Sequence, residues 1–177
     1  NNDLKNIYIK YVSFMESKKN LNNKWILWYH DPLDTNWDLS SYKNLHEINS
    51  VHEFWEIYKF MDNNIVENSM LFLMREGIKP LWEDEKNVPG GCWSFKITKG
   101  NLYEVWLNLS LYLCGESLIA NKKNFDLLNG ISISPKKNFC IIKIWNGDKK
   151  QNNLSFLNKI EDLPFDTCIY KEHKVTN

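Results

Sequence analysis

Apolar positions along this chain recur with two different periods, and the switches between them divide it into elements. Leu4, Tyr8, Tyr11 and Met15 recur at helical spacing with Ile7 beside them, which predicts a short helix in an N-terminal arm over 1–20. Lys24 to His30 (KWILWYH) is an apolar run rich in β-formers and predicts a buried strand closed by Asp31-Pro32. The polar stretch from there to Asn49 reads as a long loop carrying Trp37. Ser50 followed by Glu53 has capping-box spacing, and Val51, Phe54, Trp55, Tyr58 and Met61 behind it predict a helix of roughly three turns. Ser69 to Arg75 reads as a strand, Gly77 to Gly91 as a second loop holding Trp82, and Cys92 to Thr98 as a third strand. Asn101 with Glu104 repeats the capping spacing and opens a helix through Cys114, ended by Gly115. Alternating residues in Gly130 to Ser134 and Asn138 to Trp145 predict a hairpin about Pro135-Lys136-Lys137. Leu154, Leu157 and Ile160 predict a weaker helix over 149–160, and Asp166 to His173 a last short strand. Because most strands connect through loops or hairpins, the order favours an α+β fold on an antiparallel sheet over a doubly wound parallel one.

Composition narrows the classes. A length of 177 residues suits one domain, placed at 21–177 behind the arm. With 22 basic against 22 acidic side chains, bulk electrostatic coating of nucleic acid or anionic membrane is excluded, while a small local basic site stays open. No run of 18 apolar residues and no signal-peptide pattern occurs, so a soluble intracellular protein is expected. The chain begins with Asn, and a longer parent chain is expected. Cys92, Cys114, Cys140 and Cys168 are spaced for neither a metal knuckle nor a disulfide framework, and buried free thiols are expected. Arg75 is the only arginine among the basic residues.

Two features exceed what a core requires. Trp37 lies among Asp34, Thr35, Asn36 and Asp38, and Trp82 precedes Glu83-Asp84-Glu85. Large aromatics on polar loops either fold back onto the core or cover a ligand. As a pair with a carboxylate at the edge, they suit a flat, positively charged ring such as a methylated purine, because indole faces are negative. On the helix from Asn101, Leu102, Val105, Trp106, Leu109 and Leu113 share one face, whereas Leu107 and Leu111 fall roughly 140° to 180° from Leu102. Two outward leucines point to a covering layer or a partner, for which an amphipathic peptide helix is the usual solution.

At these residues the sequence resembles the eukaryotic initiation factor 4E family of mRNA cap-binding proteins. Lys79-Pro80-Leu81-Trp82-Glu83-Asp84-Glu85-Lys86-Asn87 followed by Gly90-Gly91-Cys92-Trp93 carries the resemblance, with support from Trp25-Ile26-Leu27-Trp28, Phe54-Trp55, Trp106-Leu107, Cys114-Gly115-Glu116-Ser117 and Ile144-Trp145. It implies a curved antiparallel sheet with three helices on its convex face and the ligand in its concave face. It also implies a 7-methylguanine stacked between Trp37 and Trp82, Glu83 accepting from the base edge, and Trp145 beside the N7-methyl group. Lys136 stands at the family's phosphate-binding arginine with Lys137 next to it, while Asn138, Ile141 and Cys92 stand where relatives carry basic residues. A lysine offers a point charge without the guanidinium fork, so a weaker triphosphate grip is expected. Val51, Trp55, Leu107, Leu111 and Gly115 match the convex surface that receives the helix of scaffold factor 4G or of 4E-binding proteins. The resemblance implies a cytoplasmic monomer, with the nucleus as a second compartment, needing no cofactor, metal or membrane. A repressor paralogue of the same fold is one alternative. A hydrolase using Glu83, Asp84 and Glu85 is another, although His30, His46, His52 and His173 lack metal-ligand spacing and no nucleophile motif is present.

Overall fold

The structure is a computed structural model that describes residues 19–174, so the helix expected on Leu4 to Met15 lies outside the described residues. Strands β1 (Asn20–His30) and β2 (Tyr42–Ser50) lead into helices α1 (Val51–Tyr58) and α2 (Asn63–Asn68). Strands β3 (Met70–Arg75) and β4 (Gly91–Thr98) precede helix α3 (Leu102–Cys114), and β5 (Leu128–Pro135), β6 (Phe139–Asn146) and β7 (Ile169–Glu172) complete the set. The seven strands among the described residues form one antiparallel sheet in the order β2-β1-β3-β5-β6-β4-β7. This is the α+β architecture the sequence implied.

Period-two alternation assigns each face of the sheet. Trp25 and Leu27 on β1, Leu73 on β3, Trp93 and Phe95 on β4 and Ile144 on β6 are buried with the helices in the main core. Leu102, Val105, Trp106, Leu109 and Leu113 of α3 are buried in that core, as the helical stripe requires. The intervening residues Phe72, Met74, Cys92 and Trp145 form a second, smaller cluster on the opposite face. That face carries the site. The only arginine belongs to the framework: Arg75 donates to the Leu128 and Phe125 carbonyls and to Asn23, with its guanidinium 4.9 Å from the Trp25 ring centroid and 5.1 Å from that of Phe125.

The capping box at Ser50 forms: its hydroxyl accepts from the Glu53 N–H, and the Glu53 carboxylate accepts from the Asn49 N–H at 2.7 Å. The helix behind it is eight residues long, shorter than the three turns expected. Asn101 differs, since its side chain makes no cap and instead donates to the Glu104 carboxylate. At the end of α3 the left-handed residue is Glu116, with φ 56°, and not Gly115; the Glu116 carboxylate accepts from Asn22 and Asn23.

Two expectations about elements are corrected. The stretch to Asn49 is not one loop: from Tyr42 it is β2, an edge strand paired only with β1. Its exposed Lys43, Asn44 and Glu47 give it a loop's composition, as solvated edge strands do. Segment 149–160 is not a helix but a chain with one 3₁₀ turn at Leu154–Phe156, started by an Asn153 side chain that accepts from the Ser155 N–H. Phe156, Leu157 and Ile160 are buried there without helical geometry. The short helix α2, capped by Asp62, has six residues, too few for periodicity to mark it in the sequence.

Candidate functional site

The two polar loops converge on one cavity of about 500 Å³ in the sheet face opposite the helices. Trp37, Trp82, Glu83, Trp145 and Lys136 all line it, so five of the six residues implied for base and phosphates are brought together. Lys137 is exposed at the hairpin tip and is not among the lining residues.

The first loop, 31–38, is folded by its own Asp and Asn residues. The Asp31 carboxylate accepts from the Leu33 N–H, Asp34 from the Asn36 N–H, and the Asn36 side chain from the Asp38 N–H, a run of Asx turns. Trp37 at its tip lies parallel to the His30 ring, with centroids 4.5 Å apart and planes 3° apart. His30 is fully buried and its Nε2 meets the Asn36 carbonyl at 2.7 Å, which makes Nε2 the protonated nitrogen. One indole face is therefore spent on His30 while Trp37 remains 54% exposed.

The second loop, 77–90, is held from beneath by one buried carboxamide. Asn87 is fully buried; its Nδ2 donates to the carbonyls of Lys79 at 3.0 Å and Leu81 at 2.7 Å, and its Oδ1 accepts from Asn129 at 2.8 Å. These bonds close the chain around Trp82, which is 49% exposed. The Asp84 carboxylate accepts from the N–H groups of Lys79 and Lys86, so this member of the acidic triplet builds the turn. A Cβ on Gly90 would overlap the Asn146 carbonyl oxygen, which explains why glycine enters β4 there.

Behind Trp82 the end of the chain returns. His173 donates from Nδ1 to the Asn87 carbonyl at 2.8 Å, and its ring is near parallel to Trp82 at 6.2 Å and tilted against Trp145 at 5.0 Å. Burial first, and then the Lys143 charge, hold the His173 pKa below the ordinary histidine value, against the opposing pull of the Asn87 bond and Glu83. A neutral ring thus backs the second tryptophan. Trp145 forms a cavity wall, fixed by its Nε1 donating to the Ser132 hydroxyl at 2.9 Å.

Sequence reasoning missed Tyr42, Lys143, His30 and His173. Tyr42 lines the cavity, and burial, followed by the nearby Glu83 charge, pushes its hydroxyl up to about 12, so it stays protonated. Lys143 lines the cavity with its ammonium 5.1 Å from the Trp82 ring centroid. The signal was present, since Lys143 is two residues before Trp145 on β6 and so shares its face. Among the described residues no cluster of His, Cys, Asp or Glu could hold a metal ion.

On the helical side, Leu111 is 39% exposed, Gly115 is exposed, and Val51, Trp55 and Leu107 are half-buried. No helix among the described residues is long and apolar enough to cross a membrane.

The profile of the family described as eukaryotic initiation factor 4E matches residues 20–176. Eukaryotic translation initiation factor 4E of Candida albicans is 35% identical over 149 residues, covering 78% of this chain and 69% of the relative. Among solved structures, the complex of C. elegans eIF4E-3 with the 4E-binding protein Mextli and cap analog aligns with a TM-score of 0.68 at 27% identity, covering 77% of this chain and 78% of that one. The complex of Ascaris suum eIF4E-3 with m7G cap aligns with a TM-score of 0.68 at 26% identity, covering 77% of each chain.

Replacing Asn87 by Ala strands the Lys79 and Leu81 carbonyls and the Asn129 amide, and is expected to cost on the order of 2 kcal/mol in urea unfolding. Asn87→Asp, which turns two donors into acceptors facing carbonyls, should cost at least as much. Midpoints unchanged in both variants would contradict the role given to this side chain.

Proposed function

The chain belongs to the eukaryotic initiation factor 4E family, and from that premise we propose that it binds the 7-methylguanosine cap at the 5′ end of mRNA and recruits the message for translation initiation. The observation that carries this reading is the pair of half-exposed tryptophans lining one cavity with a carboxylate beside them. Methylation at N7 gives guanine a positive charge. The free faces of Trp37 and Trp82 then attract the base by cation–π stacking, each contributing about 1 to 2 kcal/mol. Glu83 accepts hydrogen bonds from the N1 and N2 groups of the base edge, and these are strengthened by its charge. Trp145 packs beside the N7-methyl group, and Lys136 with Lys137 takes the phosphates. The site binds without turnover, and the protein works in the cytoplasm. Recruitment uses the opposite face, where Val51, Trp55, Leu107, Leu111 and Gly115 receive an amphipathic helix from scaffold factor 4G or a 4E-binding protein.

Titration with 7-methyl-GTP, followed by tryptophan fluorescence, is expected to give strong quenching and at least about tenfold tighter binding than GTP. Trp82→Ala and Glu83→Ala should each abolish that preference, and equal affinity for the two nucleotides would refute the cap-binding reading. For the helical face, Leu111→Glu is expected to remove binding of a 4E-binding-protein helix peptide in a pulldown while leaving 7-methyl-GTP quenching intact. Undiminished peptide capture would place the partner elsewhere.

A further inference from the structure

The proposed ligand carries a triphosphate, yet the basic groups near the cavity are few. Arg75 is committed to backbone carbonyls on the other side of the sheet, and Lys137 stands outside the lining. Lys143 is placed differently. It is half-buried at the centre of the sheet, between Ser132 on β5 and Ser94 on β4, and it lines the cavity with Lys136. Lys171 on β7 faces the same side, opposite Cys92 and two positions along from the residue that pairs with Ser94. No carboxylate stands within ion-pair distance of Lys143 among the described residues, and its ammonium rests 5.1 Å from the Trp82 ring centroid. Burial first, then repulsion from Lys136 and Lys171, pulls its pKa below the usual lysine value against the opposing Cys92 thiol. A partly desolvated ammonium among other cations, with only an aromatic face as partner, gains most from an arriving anion.

We propose that Lys143 is a phosphate-binding residue of this site, which exchanges the Trp82 ring for the phosphate chain of the cap when the methylated base takes that ring. This rests on the cap-binding reading. A positively charged base and an ammonium repel on one indole, so base binding drives Lys143 off the ring. A flexible four-carbon stem allows the ammonium to turn towards the phosphates within the same cavity. The charge that the few other basic groups of the cavity do not supply thereby comes from β6.

The test compares 7-methylguanosine with 7-methyl-GTP by tryptophan quenching at low and high salt, in the wild type, Lys143→Met and Lys143→Arg. Met keeps the length of the stem without its charge. In the wild type the triphosphate should bind more tightly, and increasingly so at low salt. In Lys143→Met the advantage of the triphosphate should shrink by about three- to tenfold and lose part of its salt dependence, the rest staying with Lys136 and Lys137, with nucleoside affinity equal or improved. Lys143→Arg should retain the advantage. An unchanged advantage in Lys143→Met, or an equal loss for nucleoside and triphosphate, would overturn the assignment. If the wild type binds neither methylated ligand, the cap-binding reading itself fails.

Discussion

A single buried carboxamide holds the ligand-facing side of this protein in shape. The Asn87 side chain gathers the carbonyls of Lys79 and Leu81 from within its own loop and takes a hydrogen bond from Asn129 at the start of β5, while the main-chain carbonyl of the same residue accepts from His173 just after β7. Buried amides are costly unless every polar atom is matched, so this arrangement tolerates few alternatives. It ties three distant parts of the sequence together beneath Trp82. A neighbouring amide, Asn146, does the same at the mouth of β4, accepting from the Gly91 N–H and the Tyr170 hydroxyl and donating to the carbonyls of Asp148 and Gln151. Loops normally gain mobility from their exposed backbone, and these amides remove it where the tryptophan must stay in place.

The two cavity tryptophans, Trp37 and Trp82, are each backed on one side. His30 and His173 supply the support as flat rings, and each contacts a backbone carbonyl through one nitrogen. In the proposed reading the remaining indole faces go to the ligand, with Lys143 leaving the Trp82 ring. Net neutrality follows the same division of labour: the framework uses the one arginine internally, and the cavity keeps the Glu83 carboxylate and the lysines Lys136 and Lys143, which the proposed reading assigns to base and phosphates. Recognition of this kind depends on placing a few charges at short range and not on a surface field.

Much of this was legible from residues alone. Alternation over 130–134 and 138–145 marked the β5–β6 hairpin, and the five-residue stripe on α3 marked the core side while isolating Leu107 and Leu111. Trp37 and Trp82 were conspicuous because polar loops seldom carry indoles. Elements whose stability comes from elsewhere were not legible. Strand β2 is polar because its outer edge is solvated, and segment 149–160 buries Phe156, Leu157 and Ile160 through an irregular path that mimics helical spacing. His30, His173 and Asn87 act through contacts across the fold, so no local pattern announces them. Lys143 is the instructive case, because its place on the face of Trp145 followed from period two, whereas its approach to Trp82 required the loop to be folded.

The cap-binding reading places a methylated, positively charged base between the Trp37 and Trp82 rings. The most direct test is proton NMR of the N7-methyl group of 7-methyl-GTP bound to the wild-type protein. Enclosure between two indoles predicts a strong upfield ring-current displacement of that resonance, with cross-relaxation to ring protons of Trp145. A saturated complex whose methyl resonance stays at its free position would contradict the account.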